Sequence, residues 1–203
     1  MVSARPLRAD AARNYERIVG AAVEAFEEIG PEATLEQIAE RADVSVMTLY
    51  RRFRNRDQLI QAVFDHLLVT EIEPAITVHT DDPWQDVVDA LTTTTELLVQ
   101  RQAIHSLALE FRAFAHETAQ HFLRSMQGLL DRAIDAGAVR PELEVRDLVA
   151  VIIMTMTTAH PGDSDGADRR RYLALLADGL RSSPTILPPP SSHVTPGPPG
   201  CGQ

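Results

Sequence analysis

Between Thr34 and Phe53 the chain twice presents a helix-capping side chain followed by a short apolar helical pattern, with only Ala42-Asp43-Val44 between the two. In Thr34-Leu35-Glu36-Gln37 the threonine hydroxyl is placed to accept from a first-turn amide while the glutamine reaches back, a capping box. Leu35, Ile38 and Ala39 then face inward. Ser45 is placed to cap a second short helix through Thr48, Leu49 and Tyr50. Two short helices with a three-residue joint can only form a tight helix-turn-helix, since no strand or long loop fits in the gap.

The flanking sequence is helical too. Tyr15, Ile18, Val19, Ala22, Val23, Phe26 and Ile29 recur at spacings of three and four, so a helix runs from about residue 10 until Gly30-Pro31 stops it. Asn55-Arg56-Asp57-Gln58 caps a connecting helix carrying Leu59, Ile60, Val63, Phe64, Leu67 and Leu68. Asp82-Pro83 starts another, through Val87, Val88, Leu91 and Leu98. Helices over roughly 102–116, 118–136, 145–159 and 167–181 complete the set, Gly137 ending the second of these. No alternating pattern with hairpin signals occurs. The fold class is all-α, with about nine helices: a three-helix head over 1–54, a helical body over 55–183, and a Pro/Gly/Ser-rich tail over 184–203 that lacks the apolar residues to form a core.

Charge is distributed unevenly. The formal net charge is -10, yet residues 41–60 contain five arginines and two acids. Such a patch on an otherwise acidic chain suits a polyanion met at one place, although an arginine run elsewhere is more often a solvated turn. The single cysteine, Cys201, lies in the tail, which leaves no disulfide framework and no cysteine cluster for zinc. The longest apolar run, residues 148–154, is too short to span a bilayer. A cytoplasmic location and no membrane partner are the expectation.

A helix in the major groove needs short or apolar side chains at its start to meet base edges and donors at its flanks to meet phosphates. SVMTLYRRFRNR, residues 45–56, has that layout. Residues 10–64, above all ATLEQIAERADVSVMTLYRRFRNRDQLIQAV, resemble the DNA-binding domain of TetR (tetracycline-repressor) family regulators, with their T-L-Y-x-x-F run, a basic residue three positions on, and a connecting helix. Two departures stand out: Asp43 replaces the usual turn glycine, and Arg56 the commoner lysine. Aspartate tolerates the left-handed conformation better than most residues. Carried over by position, the resemblance implies base contacts from Val46, Met47 and Arg52, and phosphate contacts from Thr34, Ser45, Thr48, Tyr50, Arg51 and Arg56. Arg51 suits either role, and Val46 and Met47 also read as simple packing. Arg5, Arg8 and Arg13 suit either a backbone-contacting arm or a solvated terminus.

The partners that follow are a double-stranded DNA operator, a second copy of the chain, and a small-molecule effector of unknown identity. One head has too small a footprint for operator-grade specificity, and the two last helices carry more apolar surface than a small domain covers. The resemblance places a homodimer interface there, a near-palindromic operator beneath, and an effector pocket inside the body that releases a repressor. Residues suited to that pocket are Phe64, Trp84, Leu91, Phe111, Phe114, Met126, Met154 and Met156, with Thr94, Thr95 and His105 as polar groups; each also reads as plain core. A ligand-independent adaptor or nucleoid-type DNA-binding protein is the alternative. Catalysis finds no support: in HETAQH, residues 116–121, the histidines stand five apart, off a shared helix face, and there is no phosphate loop or nucleophile elbow. No catalytic residue, metal or cofactor is expected.

Overall fold

The computed structural model describes residues 5–110, 117–158, 163 and 165–190. Its helices are α1 (Arg5–Glu28), α2 (Leu35–Arg41), α3 (Val46–Arg52), α4 (Arg56–Leu67), the one-turn α5 (Glu73–Ile76), α6 (Pro83–Gln100), α7 (Gln102–Glu110), α8 (Glu117–Asp135), α9 (Val145–Thr157) and α10 (Ala167–Asp178). Among the described residues there is no strand, only an isolated antiparallel bridge between Val139 and Arg181. The fold is all-α, as the periodicity indicates. None of these helices is long and apolar enough to cross a membrane.

The capping signals act where the sequence places them. Asn55 accepts from the Gln58 amide at 2.9 Å and Asp82 from the Gln85 amide at 3.0 Å, so each satisfies a first-turn donor that lacks a helical partner. Gly30 at φ 83° takes the left-handed position after α1, and a 3-10 turn over Gly30–Glu32 leads to Thr34. Three expectations shift. Helix α1 begins near Arg5, so Arg5 to Arg13 is helical backbone already, with the Arg5 and Arg8 side chains outside the described residues. The connecting helix continues beyond Leu67 as a π-turn over Leu68–Ile72, where the Glu73 amide reaches back to the Leu68 carbonyl. Pro74 lacks the donor an α-ladder needs there, which accounts for the change of register. Helix α10 stops at Asp178, and Arg181 turns to pair with Val139. Thr185 and Leu187 are tied down as well, Arg140 donating to the Thr185 carbonyl and the Leu187 amide to Glu142 at 3.0 Å. These contacts extend past residue 183, while 191–203, with Cys201, lie outside the described residues.

Three apolar clusters hold the helices. The head core joins Ile18, Val19, Ala22 and Phe26 of α1 to Ile38, Leu49 and Phe53, and also takes in Leu59, Ile60 and Val63 of α4 and Ile104 and Leu107 of α7. Each of these side chains larger than alanine contributes about 1.5–3 kcal/mol on removal from water. The body core gathers Leu91, Met126, Leu129, Leu130, Leu148, Val151 and Leu173. A small third cluster, Phe64, Leu68 and Ile72, sits against Leu97, Leu98 and Phe122. Helix α4 therefore faces the head with one side and the body with the other. A second link crosses the same joint: Arg101, at the α6–α7 corner, donates to Glu71 at 2.8 and 3.2 Å and to Glu27 of α1.

Candidate nucleic-acid interface

The geometry of α2 and α3 is set by their joint. Asp43 sits at φ 51°, the only non-glycine with positive φ among the described residues. Its amide bonds to the Glu40 carbonyl and the Val44 amide to the Ala39 carbonyl, both at 3.0 Å. That pair of bonds is a Schellman closure with aspartate in the position glycine usually fills. Arg17 of α1 donates to the Asp43 carbonyl at 3.3 Å and holds the turn from outside. Beyond it, Ser45 accepts from the Thr48 amide at 3.1 Å, and its hydroxyl lies 2.8 Å from that of Thr48. Both hydroxyls thus serve the start of α3 first.

Helix α3 buries Leu49 completely and rests Val46 against the head core, which leaves a clear outer face. Met47 is 70% exposed and Tyr50 44% exposed, and with Arg51 they follow one another at three and four residues, a single stripe. Arg52 and Arg54 are exposed beside it. None of these three arginines pairs with a carboxylate among the described residues. Of the expected contacts, Met47, Tyr50 and Arg51 share this face. Thr34 is exposed at the head of α2, its hydroxyl accepting from the Gln37 amide at 3.2 Å while the Gln37 side chain accepts from the Thr34 amide at 2.8 Å.

Two arginines have roles inside the head that the sequence does not show. The Arg52 guanidinium lies 4.8 Å above the Tyr15 ring, which packs 5.7 Å from Phe53. Burial and then nearby Asp65 push the Tyr15 hydroxyl up in pKa, against a smaller lowering by Arg52. Arg56 donates through its two terminal nitrogens to the carbonyls of Ala33 and Pro31, and its guanidinium carbon lies 5.2 Å from the centre of the Phe26 ring. It clamps the 3-10 turn that presents Thr34. The sequence pattern does not mark Tyr15 and Arg17 as contributors, because on α1 they read as core and solvent; only the contacts across the fold reveal them.

In the body the expected pocket residues scatter. Phe64 and His105 border a cavity of about 10 Å³ with Leu67, Glu71, Ile72, Leu97, Leu98, Arg101 and Ile104, room for about one water. Burial lowers the pKa of His105. Leu91, Met126, Thr94 and Thr95 are fully buried, whereas Met154 is exposed on α9 and Met156 packs partly against the body core. Trp84 lies under Arg181, the guanidinium carbon 4.1 Å from its ring centre. Phe111 and Phe114 lie outside the described residues.

These features agree with what the chain is similar to. Residues 18–63 match the family model for bacterial regulatory proteins of the tetR family, and residues 77–182 match the C-terminal domain of SbtR-like transcriptional regulators. The HTH-type transcriptional regulator TtgW of Pseudomonas putida, itself uncharacterized, is 35% identical over 92 residues, 43% of this chain and 67% of TtgW. Among solved structures, the TetR transcriptional regulator SCO0520 of Streptomyces coelicolor superposes with a TM-score of 0.61 at 25% identity, over 82% of this chain and 98% of that one. FadR of Bacillus subtilis, in complex with stearoyl-CoA, superposes with a TM-score of 0.64 at 23% identity, over 82% of this chain and all of its own, and so attests the fold. With both halves matched, and the second match alone spanning more than half its length, the chain belongs to the TetR family of DNA-binding transcriptional regulators.

Proposed function

We propose that the protein is a repressor that binds a near-palindromic operator as a homodimer and is released by a small-molecule effector. The observation that carries the DNA-binding part is the outer stripe of α3, on which Met47, Tyr50 and Arg51 stand exposed at helical spacing with Arg52 and Arg54 alongside. In this reading Met47 and Arg52 read bases, with Val46 at the edge of the footprint. Arg52 swings off Tyr15 to reach a guanine. Arg51, Tyr50, Thr34, Ser45 and Thr48 meet phosphates, and Arg56 acts by holding Thr34 in place. A few arginines provide most of the sequence-independent affinity through counterion release, even on an acidic protein.

Dimerisation is supported by Ile153 and Met154 of α9 and Tyr172 and Leu175 of α10, all exposed apolar side chains on the last two helices. Two heads about 34–36 Å apart then meet successive major grooves on one face of the duplex. For domains we take 1–54 as the head and 55–183 as the body, with α4 packed into both. An effector that enlarges the cavity beneath Phe64 and Leu67 pushes on α4, whose Leu59, Ile60 and Val63 are part of the head core. The stearoyl-CoA bound by the FadR neighbour supports an effector of small-molecule class. The small size of the cavity, room for about one water, favours the second reading, a DNA-binding adaptor without a ligand. Selecting fragments of the host genome on the purified chain, then measuring transcription from the recovered promoters with and without it, tests the proposal: repression at a symmetric site supports it, and activation or asymmetric single sites contradict it.

A further inference from the structure

Thr94 and Thr95 are 0% and 1% exposed, and neither hydroxyl has a hydrogen-bond partner among the described residues. Other threonines in this protein solve the same problem within their own helix: Thr92 donates to the Val88 carbonyl at 2.7 Å and Thr155 to that of Val151 at 2.8 Å. A desolvated hydroxyl left unbonded costs stability, and in native proteins such groups usually mark a bound water or a ligand position. Helical spacing puts Thr94 one turn before Leu97 and Leu98, and Thr95 one turn before Leu98. Those leucines line the cavity with Phe64 and Ile104, and the two threonines lie one turn further along α6, next to the lining residues rather than among them. Arg101, the one arginine among the residues lining this cavity, is held by the carboxylates of Glu71 and Glu27, and burial favours the neutral form of His105. An incoming carboxylate finds no free counter-charge among these lining residues, and an incoming ammonium ion must take Glu71 from Arg101.

We propose that Thr94 and Thr95 are the recognition groups of a binding site for an uncharged, largely apolar molecule bearing a hydrogen-bonding oxygen, its apolar part occupying the enlarged cavity between Phe64, Leu97, Leu98 and Ile104. This deepens the effector reading above and rests on it for regulatory meaning, while the binding itself stands apart. The hydroxyls explain a preference for such a ligand over a pure hydrocarbon, because an analogue without the oxygen leaves them unbonded.

The test uses the full chain and three probes of equal length, 1-heptanol, heptanoate and heptylammonium, followed by calorimetry and by the shift in unfolding midpoint. Heptanol is expected to bind at least about tenfold more tightly than either ion, and the Thr94→Val/Thr95→Val double variant to lose about tenfold in heptanol affinity, the scale of one net hydrogen bond. Without any probe, the double variant is expected to unfold at the same temperature or higher, since valine removes unbonded hydroxyls at nearly constant shape. Thr94→Ser, which keeps the hydroxyl, is expected to keep heptanol binding, so discrimination is measured even if the valine variants fold poorly. Equal binding of the ions, unchanged heptanol affinity in the double variant, or no binding by any probe up to its solubility limit overturns the proposal. Heptanol binding that leaves operator affinity unchanged supports the site and removes the effector reading.

Discussion

Replacing Arg56 by alanine separates two roles that the guanidinium can play. In the structure its terminal nitrogens donate to the Pro31 and Ala33 carbonyls and its guanidinium carbon lies over the Phe26 ring. A hydrogen bond to a charged donor contributes about 1.5–3 kcal/mol when dry, and a stacked cation about 0.5–1 kcal/mol at an accessible site. Arg56 is only half-buried and the freed carbonyls partly rehydrate, so the loss should be about 2–3 kcal/mol in all. At about 2–4 °C per kcal/mol for a chain this size, the unfolding midpoint should fall by roughly 4–12 °C. Operator affinity should fall alike for all sequences, because Thr34 loses its support, but the salt slope should not change. A phosphate contact instead contributes about 0.9 to the slope, hence about 1.8 for two heads, or about twelvefold in affinity between roughly 50 and 200 mM salt. Thermal unfolding by circular dichroism and a salt series by fluorescence anisotropy measure both. A slope reduced by about 1.8 with an unmoved midpoint refutes the clamp.

Asp43→Gly should stabilise the head by about 0.5–1 kcal/mol, since glycine removes the cost of φ 51°, and Asp43→Val should destabilise it; chemical denaturation of both decides. Asp86 is buried, which by itself raises its pKa, but the Thr80 hydroxyl and amide and Arg132 outweigh burial and hold the carboxyl below its ordinary value. Its network therefore stabilises the protein above about pH 4 and is lost as pH falls through the lowered folded value. Asp86→Asn should cost about 1–3 kcal/mol at pH 7 and flatten the acid limb of a stability-against-pH curve; an unchanged limb refutes that. Leu175, 64% exposed on α10, should tolerate Leu175→Asp in the fold but not in the dimer, so sedimentation should give a folded monomer with weakened operator binding.

Much of the fold was legible because its signals are local. Thr34 with Gln37, Ser45, Asn55, and Asp82 with Pro83 each cap a helix within three residues of themselves, and a capping bond needs nothing from the rest of the chain. Asp43 in the left-handed turn was legible only through the family resemblance, which has glycine at that position. The π-turn after Leu67 was not, because Pro74 acts on a ladder register that periodicity cannot resolve. Site geometry was legible only in outline. The exposed stripe of Met47, Tyr50 and Arg51 follows from helix spacing once Leu49 is known to be core. The placing of Arg52 on Tyr15 and of Arg56 on Pro31 joins residues far apart in the chain, as do the links from Arg101 to Glu27 and Glu71. Aromatic and methionine residues of the body were spread between core, surface and cavity by the same long-range packing, so composition could not sort them.

Hydroxyl-radical footprinting of the full chain on a genomic fragment it selects tests the account most directly, because it reads groove, spacing and symmetry at once. The expected result is a pair of protected patches, related by a two-fold axis and about 34–36 Å apart, that lose their sequence preference with Met47→Ala while the protein stays folded. A chain that binds no double-stranded DNA at low salt, or protects it without symmetry and regardless of Met47, contradicts the recognition helix as the reading element.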